Sequence, residues 1–303
     1  MQHRQIGQLS VSVIGLGTNN FGFTMDEPDV RPVVDAALEA GINFFDTADS
    51  YLTSEERFGR AIAGCRDEIV LATKFGSKVD ENTLGGAAPA YIRAAVERSL
   101  LKLGTDRIDL YQLHRPDDST PIADTLGTLA ELVHEGKVRE IGCSNFSAAQ
   151  LRDARDAAGS GPAFVSVQNH YNLLERADEA DVLPTCRELG LAYLPYFPLA
   201  SGLLTGKYRR GEAVPDGTRL QKWNMADRVL TDDNFRVLDA LTTWATERGH
   251  TLLELAFAWL LATPEVASVI AGATSPAQIA ANAAAGDWLL TPAEADEVRQ
   301  LVA

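Results

Sequence analysis

The chain has 303 residues, 46% of them hydrophobic, and its 27 Lys and Arg against 42 Asp and Glu give a net charge of −15. Such an acidic chain repels phosphate groups, which argues against nucleic acid and against an anionic membrane surface as partners. The three scattered cysteines form no disulfide framework or zinc spacing, and the N-terminus lacks the apolar core of a signal peptide, so we expect a cytoplasmic protein.

Short β-branched apolar runs alternate with stretches of helical periodicity along the chain. A small hairpin, His3–Ile6 and Leu9–Val11 around Gly7-Gln8, is predicted first. The predicted strands are Val11–Ile14, Ile42–Phe45, Ile69–Ala72, Ile108–Leu113, Val138–Ile141, Phe164–Val167, Leu191–Leu194 and Val266–Ile270. The helical stretches between them include Arg31–Ala40, Ala90–Leu103, Ile122–His134, Ala148–Ala158 and Glu179–Leu189. Eight strands in unbroken alternation with helices predict an α/β fold, a (β/α)8 TIM barrel with an N-terminal β-hairpin cap, formed by residues 1–303 as a single domain.

The connection between the seventh and eighth strands, residues 197–265, is much longer than the others. It contains a polar, Gly-rich loop (Ser201–Thr231) and then two helical stretches, which predicts extra helices after strand seven. Loops of that length usually have a function.

Two apparent nucleotide-binding motifs in the sequence are incomplete. Gly15-Leu16-Gly17 begins like a dinucleotide fingerprint, but Asn20 stands at the third glycine position and the segment 18–28 is predicted to be irregular rather than helical. The run from Gly202 to Lys207 is one residue short of a P-loop and is followed by Tyr208 instead of Ser or Thr. Neither a Rossmann fold nor a Walker site is predicted.

Four polar side chains follow adjacent predicted strands: Asp46, Tyr51, Lys74 and His114. Each alone has a structural explanation, such as a helix cap or a solvated charge, but in a barrel the carboxyl ends of all strands meet on one face. A lysine after an apolar strand is partly buried and needs a carboxylate, which Asp46 can supply. The ammonium would lower the pKa of the Tyr51 phenol, making it a general acid for carbonyl reduction, with His114 orienting the carbonyl or relaying the proton. One Asp and one His fall short of a metal-ligand set, so no metal is expected.

The sequence resembles the aldo-keto reductases over nearly its whole length. The matching segments, in chain order, are Phe45–Tyr51, Ala72–Gly76, Leu110–His114, Gly136–Ser147, Gln168–Asn172, Tyr196–Lys207 and Gly272–Asn282. The resemblance implies a barrel that binds an extended nicotinamide cofactor without a Rossmann fold, and it implies the same tetrad of catalytic residues.

The resemblance also implies which residues contact the cofactor. Ser144, Asn145 and Gln168 would hydrogen-bond the carboxamide, and Tyr196 would stack on the nicotinamide ring. The long loop would fold over the pyrophosphate through Leu199, Ser201, Gly202, Lys207 and Arg219. Further cofactor contacts implied by the resemblance are Thr18, Phe197, Gly272, Thr274, Gln278 and Asn282.

The chain departs from the family pattern at several positions. After strand eight, many members carry a Lys or Arg that pairs with the adenosine 2′-phosphate, whereas residues 271–275 and Gln278 offer hydroxyls, an amide and a helix N-terminus. NADP(H) is the predicted cofactor, with NAD(H) as the alternative. Ala281, Asn19 and Phe197 also differ from common family residues. The predicted substrate walls are residues 20–25, 115–119 and 221–228, including Trp223.

These observations predict an oxidoreductase that transfers hydride between a nicotinamide cofactor and a small-molecule carbonyl or alcohol. Two alternatives stay open: a barrel lyase or aldolase with Lys74 as a Schiff-base nucleophile, and a non-catalytic nucleotide-sensing subunit. The sequence carries no signal for an oligomeric state.

Overall fold

The structure, a computed structural model, describes residues 1–80, 83, 85–222, 224 and 226–302, except for the side chains of Arg219 and Lys222. The chain begins with an antiparallel hairpin of β1 (His3–Ile6) and β2 (Leu9–Ser12). Gly7, with φ of +55°, allows the tight turn between these two strands. The predicted hairpin is confirmed.

Eight parallel strands form one sheet in the order β10-β3-β4-β5-β6-β7-β8-β9. Their bounds are β3 (Ile14–Gly17), β4 (Phe44–Asp46), β5 (Val70–Phe75), β6 (Ile108–Leu113), β7 (Val138–Ser144), β8 (Ser166–His170), β9 (Ala192–Tyr196) and β10 (Val269–Gly272). The sheet closes where Tyr193 of β9 donates its N–H to Glu265 O (2.7 Å) and accepts the N–H of Ala267 (3.0 Å). The predicted (β/α)8 TIM barrel is confirmed.

Helices cover the outside of this barrel. They are α1 (Asn19–Phe23), α2 (Glu27–Glu39), α3 (Ser54–Ala61), α4 (Pro89–Leu103), α5 (Ile122–His134), α6 (Ala148–Ala158), α7 (Val182–Leu189), α8 (Arg219–Lys222), α9 (Ala226–Val229), α10 (Asp232–Thr246), α11 (Leu252–Leu261), α12 (Pro276–Ala285) and α13 (Pro292–Leu301). Short 3-10 helices lie at Arg66–Glu68, Ala177–Glu179 and Ala200–Thr205. Among the described residues, no helix has both the length and the apolar surface that a bilayer crossing requires.

The hairpin plugs the amino-terminal end of the barrel. Its buried side chains Ile6, Leu9 and Val11 pack in one cluster with inward-facing barrel residues such as Phe44 and Leu110. The backbone N–H of Gln8 donates to Glu140 Oε1 at 2.8 Å, which ties the hairpin turn to β7. With this end filled, the opposite rim, at the carboxyl ends of the strands, is the face open to ligands.

The observed bounds equal the predicted ones at Ile108–Leu113, whereas the other seven barrel strands begin or end one to three residues further along the chain. Two differences change the description of the first barrel strand and of the segment after it. The first barrel strand begins at Ile14 rather than Val11, because Leu9–Ser12 pairs within the hairpin and leaves Ile14–Gly17 for the barrel. Glycine is a weak strand former, yet a Cβ at Gly15 would lie 2.8 Å from Phe44 Cδ1, so close packing requires it there. The second difference is α1: the prediction of an irregular segment directly after Gly17 is wrong, since a one-turn helix begins at Asn19.

Candidate active site

The four predicted catalytic residues reach the same rim from three adjacent strands. Asp46 ends β4, Lys74 is the penultimate residue of β5, and His114 directly follows β6. Tyr51 lies in the loop between β4 and α3. That loop is attached to β5 because Asp49 N–H donates to the Lys74 carbonyl at 3.1 Å.

Lys74 and Asp46 form a buried ion pair, with side chains only 1% and 4% exposed. The Lys74 ammonium also donates to the carbonyl of Thr47 at 3.0 Å. Burial by itself lowers the pKa of Lys74, but the nearby Asp46 carboxylate and Tyr51 outweigh it and raise that pKa above its ordinary value. Lys74 is therefore held in its charged form.

Two glutamine side chains complete the surroundings of Asp46. Gln112 and Gln168 each donate an amide N–H to Asp46 Oδ2 at 3.0 Å, and Gln168 also donates to Gln112 Oε1 at 3.3 Å. The carboxylate thus accepts hydrogen bonds at both oxygens, as a buried charge requires. Gln112 had no role in the sequence analysis, although its place in β6, two residues before His114, puts it on the inward face.

The Tyr51 ring lies next to the ion pair. The Lys74 ammonium is 5.3 Å from the centre of the Tyr51 ring and hydrogen-bonds this side chain. The His114 ring meets it edge-on, with centroids 5.9 Å apart and planes at 82°. The phenol, the ammonium and the imidazole therefore converge, as the strand ends predict.

His114 is uncharged in this environment. Burial, followed by the positive charges of Lys74 and Arg115, lowers its pKa to about 3. Its Nδ1 lies 3.5 Å from Ser50 Oγ. At neutral pH the ring can donate or accept a hydrogen bond, but it carries no proton to release as a cation.

The residues predicted to hold the carboxamide form one network beside the tetrad. Asn145 Nδ2 donates to the His114 carbonyl (2.9 Å) and to Ser144 Oγ (3.0 Å), and Tyr196 OH donates to Asn145 Oδ1 (2.8 Å). Ser144 Oγ in turn donates to the Gln168 carbonyl at 2.7 Å. Both amide protons of Asn145 are thereby used, and one lone pair of its Oδ1 is left for a ligand.

One face of the Tyr196 ring is covered by His170. The two rings are stacked, with centroids 5.3 Å apart and planes at 7°. Thr18, by contrast, is fully buried, and its hydroxyl contacts the Asp46 carbonyl (3.1 Å) and Ser54 Oγ (3.0 Å). The structure therefore places Thr18 between β3 and β4 beneath the rim.

The loop after β9 turns sharply next to Tyr196. Phe197 has φ of +51°, and three consecutive residues, Ala200, Ser201 and Gly202, have φ of +45°, +58° and +95°. The Gly202 N–H donates to the Leu199 carbonyl at 2.8 Å, which closes the turn. A Cβ at Gly202 would lie 2.9 Å from Lys207 Nζ, so this glycine makes room for the ammonium. The side chain of Arg219 and the whole of Trp223 lie outside the described residues.

The start of α12 is the other segment that the sequence predicts to contact a phosphate of the cofactor. Gly272 ends β10, and the Thr274 N–H donates to Gln278 Oε1 at 2.8 Å. Ser275 caps the helix by accepting the Gln278 N–H at 3.3 Å, and Asn282 is buried one turn further along. In the structure the Gln278 amide thus points back to its own helix start.

A buried pair of acids, Asp49 and Glu55, lies behind Tyr51 and was missed by the sequence analysis. Burial, with a further contribution from Glu55, raises the pKa of Asp49 to about 7, and burial also raises the pKa of Glu55. Glu55 accepts a hydrogen bond from Thr73 at 2.7 Å, whereas neither oxygen of Asp49 has a hydrogen-bond partner among the described residues. Arg98 and Lys102 on α4 oppose both shifts. An acid in a helical first turn ordinarily faces solvent, so no sequence signal marked this burial.

We expect replacement of Asp49 by Asn to remove part of the pH dependence of stability. With a pKa of about 7, Asp49 keeps its proton in the folded protein at pH values at which the same side chain is already ionised in the unfolded chain. The wild type therefore loses stability as the pH rises toward 7. From pH 5 to pH 8 the free energy of unfolding should fall by roughly 2 to 3 kcal/mol more in the wild type than in Asp49→Asn. Urea unfolding at both pH values measures it.

Asp117→Asn is the matched control. Hydrogen bonds from Ser119, Ala87 N–H and Thr120 hold the pKa of Asp117 down at about 2 against a smaller effect of burial. Its ionised form therefore stabilises the fold at both pH 5 and pH 8, so its replacement should lower stability by the same amount at the two pH values and leave the pH dependence between them unchanged. Equal pH curves for the wild type and Asp49→Asn would contradict the assignment of Asp49.

Comparisons with known proteins show what this chain is similar to. A sequence profile described as the Aldo/keto reductase family matches residues 13–303. The chain is 35% identical over 320 aligned positions to a probable voltage-gated potassium channel subunit beta of Arabidopsis thaliana, covering 100% of this chain and 97% of that protein. It is also 35% identical over 320 positions to an NADH-specific methylglyoxal reductase of Escherichia coli (strain K12), covering 97% of this chain and 95% of that protein.

A solved structure has the same architecture. The glycerol dehydrogenase of Gluconobacter oxydans superposes with a TM-score of 0.86 at 32% sequence identity, covering 99% of this chain and 94% of that one.

Proposed function

The chain belongs to the aldo/keto reductase family and is an oxidoreductase, and from that premise we propose that it reduces an aldehyde or ketone reversibly with NADPH, with Tyr51 as the general acid. The observation that carries the proposal is the buried Lys74–Asp46 pair beneath Tyr51, with an uncharged His114 against the same ring. We propose that residues 1–303 act as one barrel domain, working in the cytoplasm, where three free thiols persist.

Each member of the tetrad then has a separate task. Tyr51 donates its phenolic proton to the oxygen of the reduced carbonyl group. Lys74, kept charged by Asp46, stabilises the phenolate that is left, because opposite charges a few ångströms apart attract strongly at a site shielded from water. His114, being uncharged, donates a hydrogen bond that orients the substrate carbonyl rather than supplying the proton.

The cofactor groups fit the residues present. When bound, the nicotinamide supplies the hydride. We propose that the nicotinamide ring stacks on the face of Tyr196 opposite His170. We propose that the turn at Ala200–Gly202 with Lys207 holds the pyrophosphate, and that the hydroxyls of Thr274 and Ser275 at the start of α12 hold the 2′-phosphate of NADP(H).

The charged state of Lys74 weighs against the lyase alternative. A Schiff-base lysine must be deprotonated to attack a carbonyl. Here Asp46 and Tyr51 together outweigh the effect of burial and raise the pKa of Lys74. The second candidate is a nucleotide-sensing subunit, which is favoured by the 35% identity to a probable channel beta subunit.

A panel of aldehydes and ketones, assayed by cofactor absorbance with NADPH and separately with NADH, tests the proposal. We expect turnover of at least one carbonyl class, with kcat/KM higher for NADPH by about tenfold, the value of one or two hydrogen bonds to the 2′-phosphate. Tight cofactor binding without turnover of any carbonyl would instead support the sensing subunit, and a preference for NADH would overturn the assignment of Thr274 and Ser275.

A further inference from the structure

Arg115 is an exposed cation on the catalytic rim without an acidic partner. It directly follows His114, and no carboxylate within 4.0 Å and no hydrogen bond is found for its guanidinium among the described residues. This is unusual in a chain with 42 acids, where most exposed arginines, such as Arg93 and Arg152, are paired with Glu or Asp. A guanidinium left open in acidic surroundings is prepared to receive an anion from outside.

The neighbouring acid does not neutralise it. Asp117 accepts hydrogen bonds from the Ala87 N–H at 2.7 Å and from Thr120 Oγ1 at 2.8 Å, and its other oxygen binds Ser119. Its carboxylate therefore holds the loop after β6 together.

The positive charge of Arg115 acts on the side chains that surround the expected position of the substrate carbonyl. Together with burial and Lys74 it lowers the pKa of His114, and it opposes the rise in the pKa of Tyr196 that burial causes. These two side chains frame the reacting groups in the proposed function. Because Arg115 directly follows His114 at the end of β6, its charge lies close enough to act on both side chains.

Two exposed apolar side chains, Phe23 and Leu52, lie next to Tyr51 in space or in the chain. The Phe23 ring is 6.2 Å from the Tyr51 ring and is 46% exposed, and Leu52 is 56% exposed. Leu52 also has φ of +50°, a left-handed conformation that costs free energy for a non-glycine residue. An exposed Phe and a strained, exposed Leu next to a catalytic group form a surface for the apolar part of a substrate.

We infer that the substrate is a carbonyl compound with a terminal anion, a carboxylate or a phosphate, which pairs with Arg115 while its short carbon chain lies on Phe23 and Leu52. The inference rests on the proposed function and adds the substrate class. A chain of net charge −15 repels anions in general, so an anionic substrate needs a local cation of this kind. The two planar donor pairs of a guanidinium suit both anions.

Matched substrate pairs at saturating cofactor test this. One pair is succinic semialdehyde and its methyl ester, and the other is glycolaldehyde phosphate and glycolaldehyde. For the wild type, kcat/KM should be about tenfold higher for the anionic member of one pair, as expected for one charged hydrogen bond at an exposed site. The pair that shows the preference identifies carboxylate or phosphate. Raising the salt concentration from 0.05 to 0.5 M should reduce the preference, because exposed charges are screened.

Three variants assign the preference to Arg115. Arg115→Gln should bring the ratio of the anionic to the neutral substrate close to one, and Arg115→Lys should retain part of it. Arg152→Gln makes the same change in net charge on the outer helix α6 and should leave the ratio and the turnover of both substrates unchanged. A preference that survives in Arg115→Gln, or its absence from both pairs in the wild type, overturns the inference. If the inference fails but the neutral substrates are reduced, the proposed function still holds. If no carbonyl compound is reduced, both the inference and the proposed function are wrong.

Discussion

Tyr51→Phe is expected to lower kcat by at least about a thousandfold, within the range for loss of a positioned general acid, while the Kd for the cofactor changes less than about twofold. The substitution removes one hydroxyl and leaves the ring, so the contacts with Phe23 and the edge-on contact with His114 persist. The lost interaction is made chiefly in the transition state, when the carbonyl oxygen takes the proton. The substitution therefore lowers kcat and leaves cofactor binding nearly unchanged. Steady-state kinetics and fluorescence titration with the cofactor measure the two quantities.

Tyr171→Phe is the control for this change. The Tyr171 hydroxyl donates to Glu179 at 2.9 Å, and its ring packs against Trp259 outside the barrel. The same chemical change at that position should leave kcat within about twofold. If Tyr51→Phe kept the turnover of the wild type, another group would have to supply the proton, and the role assigned to Tyr51 would be wrong.

The barrel and the convergence of the tetrad follow from the sequence because they depend on periodicity. Alternation of apolar runs and amphipathic stretches sets the strand order, and the carboxyl ends of parallel strands must share a rim. Asp46, Lys74 and His114 each stand at such an end, so their proximity could be predicted without knowing any distance. The helices Ile122–His134 and Ala148–Ala158 were also predicted with the bounds observed.

The features that sequence analysis missed depend on burial and on side-chain direction. Asp49 and Glu55 read as solvent-facing acids in a loop and a helix start, whereas in the fold both are buried, and this burial raises their pKa values. Gln112 stands in an apolar strand, and its bond to Asp46 depends on which way its side chain points. The one-turn helix α1 was missed because a five-residue helix is too short to show periodicity, and glycine within it suggests a loop.

Lys74→Met is expected to abolish turnover and also to destabilise the fold by about 3 kcal/mol, because it leaves the Asp46 charge buried without its cationic partner. Gln112 and Gln168 still donate to the carboxylate, so the loss should lie at the lower end of the range for broken buried pairs. Methionine is close to lysine in length and shape, so packing in β5 is preserved and the effect reports the charge. Denaturant unfolding gives the stability, and cofactor absorbance gives the turnover.

The double variant Asp46→Asn/Lys74→Met separates the two effects. Replacing both partners removes the uncompensated charge, and an asparagine can keep the hydrogen bonds to Gln112 and Gln168, so we expect much of the lost stability to return. Activity should not return, since no ammonium remains beside Tyr51 to stabilise the phenolate. Recovery of turnover in the double variant would show that Lys74 acts only through the fold, and full stability of Lys74→Met alone would show that Asp46 does not depend on its partner.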